Sequence, residues 1–485
     1  MSKLRANTKA ILVAAGLLLV IGTVAGYVAM AGSTPKAPSR YVAEINGKKI
    51  DRTQFERNFA MVWQQKYQSS YGQLTGFDIE PMKAQYLMQV LLQEALLDEA
   101  NKMKIVVSDD EINESVKDIE EQVGGADELK AQLEYSNITM DQLKDDIKKS
   151  LLLTKLQDDI AKDITVNDEE IRAQLEEVQA SHILVEDKAL ADNLLQQIKE
   201  GADFAELAKE HSEDPGSKED GGNLGFFGRG VMVKAFEEAA FALEVGEVSD
   251  LVASDYGYHI ITVTDRKTVD DKTFDEKKEE TRETLLNSKK SSVITDYVMA
   301  LEDKSNIVIY DAQLKGYQAM GEGRVEDAIK AYNEALEYAP NDPYLMISLG
   351  EAHRRKGDLD AAWDLNKKAA NVSNDPYVKI QMALVGETKI RNLINAQETE
   401  EEKSVFEWAS ADTEIGSLYT DISTALDKAS SDAGNDIMAH YQLAQVYSYF
   451  GDKERETASM AKISEITAQL YGNEEDTEAE AEVTE

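Results

Sequence analysis

Apolar residues recur every three or four positions along most of this chain, the spacing of helices with one buried face. The pattern predicts helices over residues 53–70, 80–103, 139–162 and 272–303. Another begins at Ser108, where Ser108 and Glu111 have the spacing of a capping box and Ile112, Val116 and Ile119 then line one face. The chain is therefore predicted to be mostly helical.

Two regions depart from the helical spacing. Residues 41–50 form two short strand-like runs around Asn46-Gly47, a pair that favours a hairpin turn. In the centre of the chain, strands are expected over 179–185, 248–253 and 257–264, helices over 188–200, 203–211 and 233–242, and a Gly-rich loop over 212–230. The central region therefore reads as a small α+β domain.

The N-terminus has the pattern of a membrane segment. Lys3, Arg5 and Lys9 precede an uncharged, mostly apolar run over residues 10–31, long enough for a helix to cross a bilayer. The basic flank, residues 1–9, should stay cytoplasmic, with everything after the anchor on the other side. A cleavable signal peptide is the alternative, because residues 29–31 resemble a cleavage site. Residues 32–40 are a linker.

Small residues repeat in the C-terminal part. Gly316, Gly323, Ala328 and Ala335 recur 34 residues later at positions 350, 357, 362 and 369, as expected where paired helices cross. Residues 311–472 resemble tetratricopeptide repeats, with a weaker match near Ile437. Residues 473–485 carry seven acidic and no basic residues, which favours a disordered tail.

Composition narrows the possible functions. The chain has 485 residues and a formal net charge of −40, so the main body should not bind nucleic acid. There is no cysteine, which excludes disulfides, thiolate metal sites and cysteine nucleophiles. A zinc site on His182, His211 and His259 is also disfavoured, because these residues lack close ligand spacing. No cofactor is expected.

Four motifs in the central domain carry a family resemblance. They are Ser181-His182-Ile183-Leu184, the run from Gly221 to Phe227, the run from Met232 to Ala239, and the run from Tyr256 to Ile261. In this order they resemble the parvulin-type peptidyl-prolyl cis-trans isomerases, which places that domain at residues 179–267. Around it, residues 41–178 resemble the chaperone lobe of the exported SurA, PrsA and PpiD foldases. Residues 268–310 either fold back to complete this lobe or form a free helical spacer.

The parvulin resemblance implies an active site. The implied catalytic residues are His182, Asp214, Ser254 and His259, and the implied proline pocket is Leu224, Met232 and Phe236. Asn223 stands where the family usually has Asp. Structural roles are the alternative: core histidines, a turn residue at Asp214, and a core helix face at Met232 and Phe236. Acidic residues after His182, Glu186 and Asp187, argue against phosphorylated substrates.

The fold class expected is multidomain α+β: a transmembrane helix, a mostly helical chaperone lobe, a parvulin α+β domain and an all-α repeat domain. The function expected is isomerase and chaperone for exported, unfolded polypeptides with X-Pro bonds. Its place would be the cytoplasmic membrane, as a single-pass protein with the bulk outside. The alternatives are a holdase that binds clients without catalysis, and a scaffold whose repeats dock a protein partner.

Overall fold

The computed structural model describes residues 38–70, 74–135, 138–397 and 403–471. The predicted membrane anchor and acidic tail lie outside these residues. The described helices include none that is long and apolar enough to span a bilayer. The chain divides into two compact units: one joins the residues up to Leu156 with those from Leu301 onward, and the other is Gln157–Ala300.

The first unit begins with a three-stranded antiparallel sheet. Its strands are β1 (Tyr41–Ile45), β2 (Lys48–Asp51) and β7 (Ile307–Ile309), with β1 in the centre. Asn46 and Gly47 both have positive φ, as the two-residue turn of a tight hairpin requires. Because β7 pairs with β1, the chain returns to this lobe after residue 300. Leu301 and Ile307 pack against the lobe's core.

Among the described residues, five α-helices follow the hairpin in sequence before the α+β domain. They are α1 (Arg52–Ser69), α2 (Ile79–Lys102), α3 (Asp109–Val123), α4 (Ala126–Tyr135) and α5 (Met140–Ile160). Val42, Phe55 and Leu91 lie in the core of the sheet with α1 and α2, whereas α3, α4 and α5 enclose a core of their own. Gly124 ends α3 in the left-handed conformation, and α4 begins two residues later. The sequence pattern did not predict α4.

The second unit contains the α+β domain. Its elements are α6 (Asp168–Gln174), β3 (Glu177–Val185), α7 (Lys188–Lys199), α8 (Phe204–His211), β4 (Asn223–Gly228), α9 (Lys234–Ala242), β5 (Val252–Ser254), β6 (Gly257–Lys267) and α10 (Asp271–Lys304). The last turn of α10, from Leu301, belongs to the first unit. The antiparallel sheet has the order β4-β3-β6-β5. The strand predicted at 248–253 is shorter than expected: Val248 makes only an isolated bridge to Thr262 before β5.

Each face of this sheet carries its own hydrophobic core. Val178 and Ala180 of β3 contact the core that contains α9, whereas Ile183 and Val185 contact the core that contains α7 and α8. Side chains alternate between faces along a strand. The even-numbered positions of β3 and the odd-numbered positions of β6 therefore face α9. His182 and His259 belong to these two sets.

The remaining described part of the first unit is built from helices. Its helices are α11 (Ala312–Gly321), α12 (Val325–Tyr338), α13 (Pro343–Lys356), α14 (Leu359–Val372), α15 (Pro376–Asn395), α16 (Val405–Ala411), α17 (Thr413–Asp432), α18 (Ile437–Phe450) and α19 (Lys453–Tyr471). A side chain at Gly316 would collide with the ring of Tyr332, and one at Gly350 with Asn366. The repeated glycines thus lie where paired helices touch. Two helices, α16 and α17, meet at Asp412, which ends the first and caps the start of the second.

Candidate active site

The two histidines meet because β3 and β6 are neighbours in the sheet. Leu184 of β3 lies opposite His259, and His182 lies opposite Ile261, so the two histidines are diagonal neighbours. Their side chains share the α9 face, and Nδ1 of His182 lies 3.2 Å from Nδ1 of His259. Both rings are buried. The sheet register thereby creates a direct hydrogen bond between residues 77 positions apart.

A loop brings an acid to the other side of His182. Nε2 of His182 lies 2.8 Å from Oδ2 of Asp214 and 3.1 Å from the hydroxyl of Ser217. The Ser217 hydroxyl donates a hydrogen bond to the same oxygen of Asp214. The other carboxylate oxygen accepts the N–H of Gly216 at 3.0 Å. Asp214 is thus both the turn residue and the partner of the buried histidine.

The far end of the pair is closed by a serine on β5. The hydroxyl of Ser254 lies 2.7 Å from Nε2 of His259, and it accepts the backbone N–H of Tyr256 at 3.1 Å. A continuous chain of hydrogen bonds therefore runs from Asp214 through His182 and His259 to Ser254.

An apolar group adjoins this polar chain. The ring of Phe236, on α9, meets both histidine rings edge-on, at centroid distances of 5.5 Å to His182 and 5.3 Å to His259. Leu224 and Met232 are partly buried and pack against the core cluster that contains Phe236. Because Phe236 itself is only 3% exposed, Leu224 and Met232 offer the more accessible surface to a ligand.

Two pKa shifts determine the charges of Asp214 and His259 at neutral pH. Partial burial acts to raise the pKa of Asp214, but hydrogen bonds from Ser217, His182 and Gly216 outweigh it and hold that pKa at about 2. Burial, together with repulsion from His182, lowers the pKa of His259 to about 4, while Asp214 acts in the opposite direction. At neutral pH, Asp214 is a carboxylate and His259 is uncharged.

These charges determine the direction of each hydrogen bond. A carboxylate only accepts, so Nε2 of His182 must donate to Asp214. When each ring carries one proton, Nδ1 of His182 is then an acceptor, and His259 donates to it from Nδ1. Nε2 of His259 is left as an acceptor and takes the proton of the Ser254 hydroxyl. A single ionised carboxylate thereby orients three side chains.

The structure brings together all seven residues implied by the sequence motifs. His182, Asp214, His259 and Ser254 form the polar chain, whereas Leu224, Met232 and Phe236 belong to one apolar cluster. Asn223 lies outside the chain, because its side chain bonds Gln179, Asp220 and the N–H of Gly225. Among the described residues, no group of three or more acidic or histidine side chains is placed to hold a metal ion.

Ser217 is the site residue that the sequence reasoning missed. It is only 1% exposed and contacts both Asp214 and His182. The sequence could have indicated this role, because Ser217 is the fourth residue of an Asp-Pro-Gly-Ser turn that begins at Asp214. Such a turn brings the fourth side chain back toward the first.

Three family models match parts of this chain. The family model of the PPIC-type PPIASE domain matches residues 151–267, that of the SurA-like N-terminal domain matches residues 1–157, and that of the tetratricopeptide repeat matches residues 314–377. The fold and the site define a parvulin-type peptidyl-prolyl isomerase with a SurA-like N-terminal domain and tetratricopeptide repeats.

Individual relatives specify the family further. The chain is 35% identical over 295 residues to the foldase protein PrsA of Caldanaerobacter subterraneus, covering 56% of this chain and 88% of the relative. It is 36% identical to PrsA of Geobacillus kaustophilus, covering 44% of this chain and 78% of that relative. The chain therefore belongs to the PrsA foldase family. A crystal structure of PrsA from Bacillus cereus is 30% identical, with a TM-score of 0.30, and the match covers 59% of this chain and 97% of that one.

Proposed function

We propose that this isomerase acts outside the cytoplasmic membrane, anchored by residues 10–31, on X-Pro bonds of exported polypeptides that have not yet folded. The observation that carries the catalytic part is the hydrogen-bonded chain from Asp214 to Ser254 beside the apolar group of Phe236. The SurA-like N-terminal lobe would hold the client while its prolyl bonds are isomerised.

Prolyl isomerisation requires no nucleophile. Rotation about the amide breaks its resonance at a cost of roughly 18–20 kcal/mol, so X-Pro bonds exchange over tens to hundreds of seconds. An enzyme accelerates this exchange by binding the twisted amide more tightly than either planar form. The site must therefore hold the proline ring and surround the amide with groups that favour the twisted state.

The residues divide this work between them. Leu224 and Met232, backed by Phe236, would grip the pyrrolidine ring, which leaves the preceding residue free to turn. His182 and His259 would hold the shape of the site without transferring protons, since every ring nitrogen is already engaged in a hydrogen bond. Twisting returns electron density from the carbonyl oxygen to nitrogen, so the negative charge of Asp214 favours the twisted amide.

Catalysis is tested with the full-length protein and a short X-Pro peptide. Asp214→Ala and Met232→Ala are each expected to lower kcat/KM at least tenfold, the first by removing the charge and the second by removing the grip. Glu219→Ala, an exposed change in the same loop, is the matched control and should leave the rate within twofold. Rates that are unchanged in both site variants would refute the assignment.

A holdase without need of catalysis is the second candidate. The lobe has two hydrophobic cores of its own, one around β1 and α2 and one among α3, α4 and α5. A simple spacer between the membrane and the isomerase domain would not need two packed cores. Suppression of client aggregation that survives both Asp214→Ala and Met232→Ala would assign the chaperone work to the lobe. Suppression that is lost together with isomerase activity would assign it to the isomerase site.

The proposed location has its own test. The outer layers of the cells are removed and the cytoplasmic membrane is left intact. A protease added outside should then digest the protein beyond residue 40, while a tag fused at the N-terminus stays protected. Protection of the whole chain would contradict the extracytoplasmic assignment. A mature protein that begins after residue 31 would show that the apolar segment is a cleaved signal and not an anchor.

A further inference from the structure

The start of α2 makes a close contact with the repeats inside the first unit. Thr75 and Asp78 form a capping box that shapes a turn over Gly76–Asp78. Gly76 lies against the ring of Tyr344, where an added Cβ would be 1.9 Å from the ring atom Cζ. The ring of Phe77 meets Tyr344 edge-on, with centroids 5.2 Å apart. The turn thus packs closely against Tyr344, with no room for a larger residue at position 76.

The surface under this turn is built by two successive repeats. Phe77 packs against a cluster contributed by α13, α14 and α15, whose buried members are Met346, Ile347, Ala369 and Val378. Tyr344 is fixed in place because its hydroxyl donates a hydrogen bond to Asp375, the cap of α15. We name this area, Tyr344 with the four buried residues, the repeat surface.

One turn beyond Phe77, the side chain of Glu80 enters the same junction. One of its oxygens, Oε2, accepts a hydrogen bond from the hydroxyl of Ser348 on α13 at 2.8 Å, and Tyr332 on α12 interacts with the same carboxyl group. The other oxygen, Oε1, is buried without a hydrogen-bond partner. A buried acceptor with no donor is costly when it carries charge.

The charged groups around Glu80 add to that cost. Asp342, before α13, and Asp311, before α11, both disfavour its ionised form. Asp311 is itself paired with Arg52, and Lys83, one turn further along α2, pairs with Glu56. Tyr332 stays uncharged, because burial and then Glu80 raise its pKa. The positive end of α2 favours a carboxylate at Glu80 and does not outweigh these effects.

We propose that Phe77 and Glu80 form a proton-controlled latch. With the carboxyl of Glu80 protonated, the start of α2 is held against the repeat surface. Ionisation places an unpaired charge in the junction and loosens the contact between the start of α2 and the repeat surface.

The direction of the response follows from burial. Burial raises the pKa of Glu80 to about 7, against an ordinary value of 4.5 that a released side chain would regain. The latch is therefore strongest below pH 4.5, weakens as the pH rises from 4.5 to 7, and changes little above 7. Between pH 5.5 and 8.5 the opening equilibrium should increase about 30-fold.

Hydrogen exchange of the full-length protein between pH 5.5 and 8.5, corrected for the intrinsic rate at each pH, tests the latch. Opening of the first turns of α2 and of α13 should rise about 30-fold in the wild type. In Glu80→Gln, which keeps the size of the side chain and removes its charge, opening should be independent of pH. Glu99→Gln, which breaks only a surface pair with Lys102 at the other end of α2, should respond as the wild type does.

Three results would overturn the proposal: a wild type without pH response, a Glu80→Gln variant that keeps the response, or an equal rise in α17, which would mean global unfolding. Should Glu80→Gln fail to fold, Ser348→Ala decides. Losing the hydrogen bond that lowers the pKa of Glu80 must move the upper end of the response above pH 7. An unmoved upper end would count against the latch.

Discussion

At the scale of single residues, environment assigns the roles in the isomerase site. The chain has five histidines, and His353 and His440 bond nearby groups of the helical repeats. His182 and His259 differ because each lies on the α9 face of its strand and the register brings them together. Their hydrogen bonds are then directed by the charge of Asp214. A residue type acquires this function only through its partners.

The lowered pKa of His259 predicts a pH-dependent stability. Its folded pKa of about 4 lies below the ordinary 6.5, so its contribution is complete above pH 6.5 and is lost as the pH falls toward 4. Between pH 7.5 and 5.0 the opening free energy of β3 and β6 should fall by about 1–2 kcal/mol, a value reduced for solvent screening.

Hydrogen exchange of β3 and β6 measures this free energy, because the tryptophans, at positions 63, 363 and 408, all lie outside the second unit and cannot report on it. The variant His259→Gln should lose this pH-dependent component. Equal pH dependence in the variant and the wild type would contradict the prediction.

At the scale of elements, the close approach of the Gly-rich loop to β3 sets the geometry of the site. Gly222 has φ +82°, and its carbonyl accepts the N–H of His182 at 2.9 Å. A Cβ at Gly222 would lie 2.1 Å from the carbonyl oxygen of His182. Since that oxygen belongs to the backbone, it cannot rotate away as a side chain could. The loop can therefore bring Asp214 within hydrogen-bonding distance of His182 only if position 222 is glycine.

Gly222→Ala is accordingly expected to destabilise the domain by about 2–4 kcal/mol and to lower kcat/KM at least tenfold, because β3 or the loop must move. Gly246→Ala is the matched control: Gly246 has φ +88° but open space around it, so its cost should be about 1 kcal/mol with activity retained. Thermal unfolding and the X-Pro peptide assay measure both effects. Similar losses in the two variants would show that φ, and not the close approach, controls the site.

At the scale of the whole molecule, the N-terminal lobe depends on residues far along the chain. Its sheet needs β7, and its core includes Leu314 of the first repeat helix. Arg52, at the start of α1, pairs with Asp311, and Asp311 caps the first repeat helix, α11. The isomerase site, in contrast, lies entirely within Gln157–Ala300. Stability of the lobe and catalysis should therefore be separable.

A chain truncated after Tyr310 tests this separation. It should keep its kcat/KM for a short X-Pro peptide within twofold of the full-length value. Its α2 should lose hydrogen-exchange protection by at least tenfold, because Leu314 and the partner of Phe77 are gone. Unchanged protection of α2 would mean that the repeats do not support the lobe, and would favour their role as a dock for a separate partner.

The sequence by itself determined most of the helices outside the repeats, the hairpin at Asn46-Gly47, the repeated glycines and the motifs that identify the isomerase domain. These features depend on neighbours a few positions away, since helix and strand periodicity and turn chemistry are local. Only the tertiary structure decided that Ser217 joins Asp214 at His182, that β7 completes the first sheet, and that Glu80 is buried against the repeats. Those outcomes depend on which distant surfaces meet, and burial and electrostatic partners exist only once they have met.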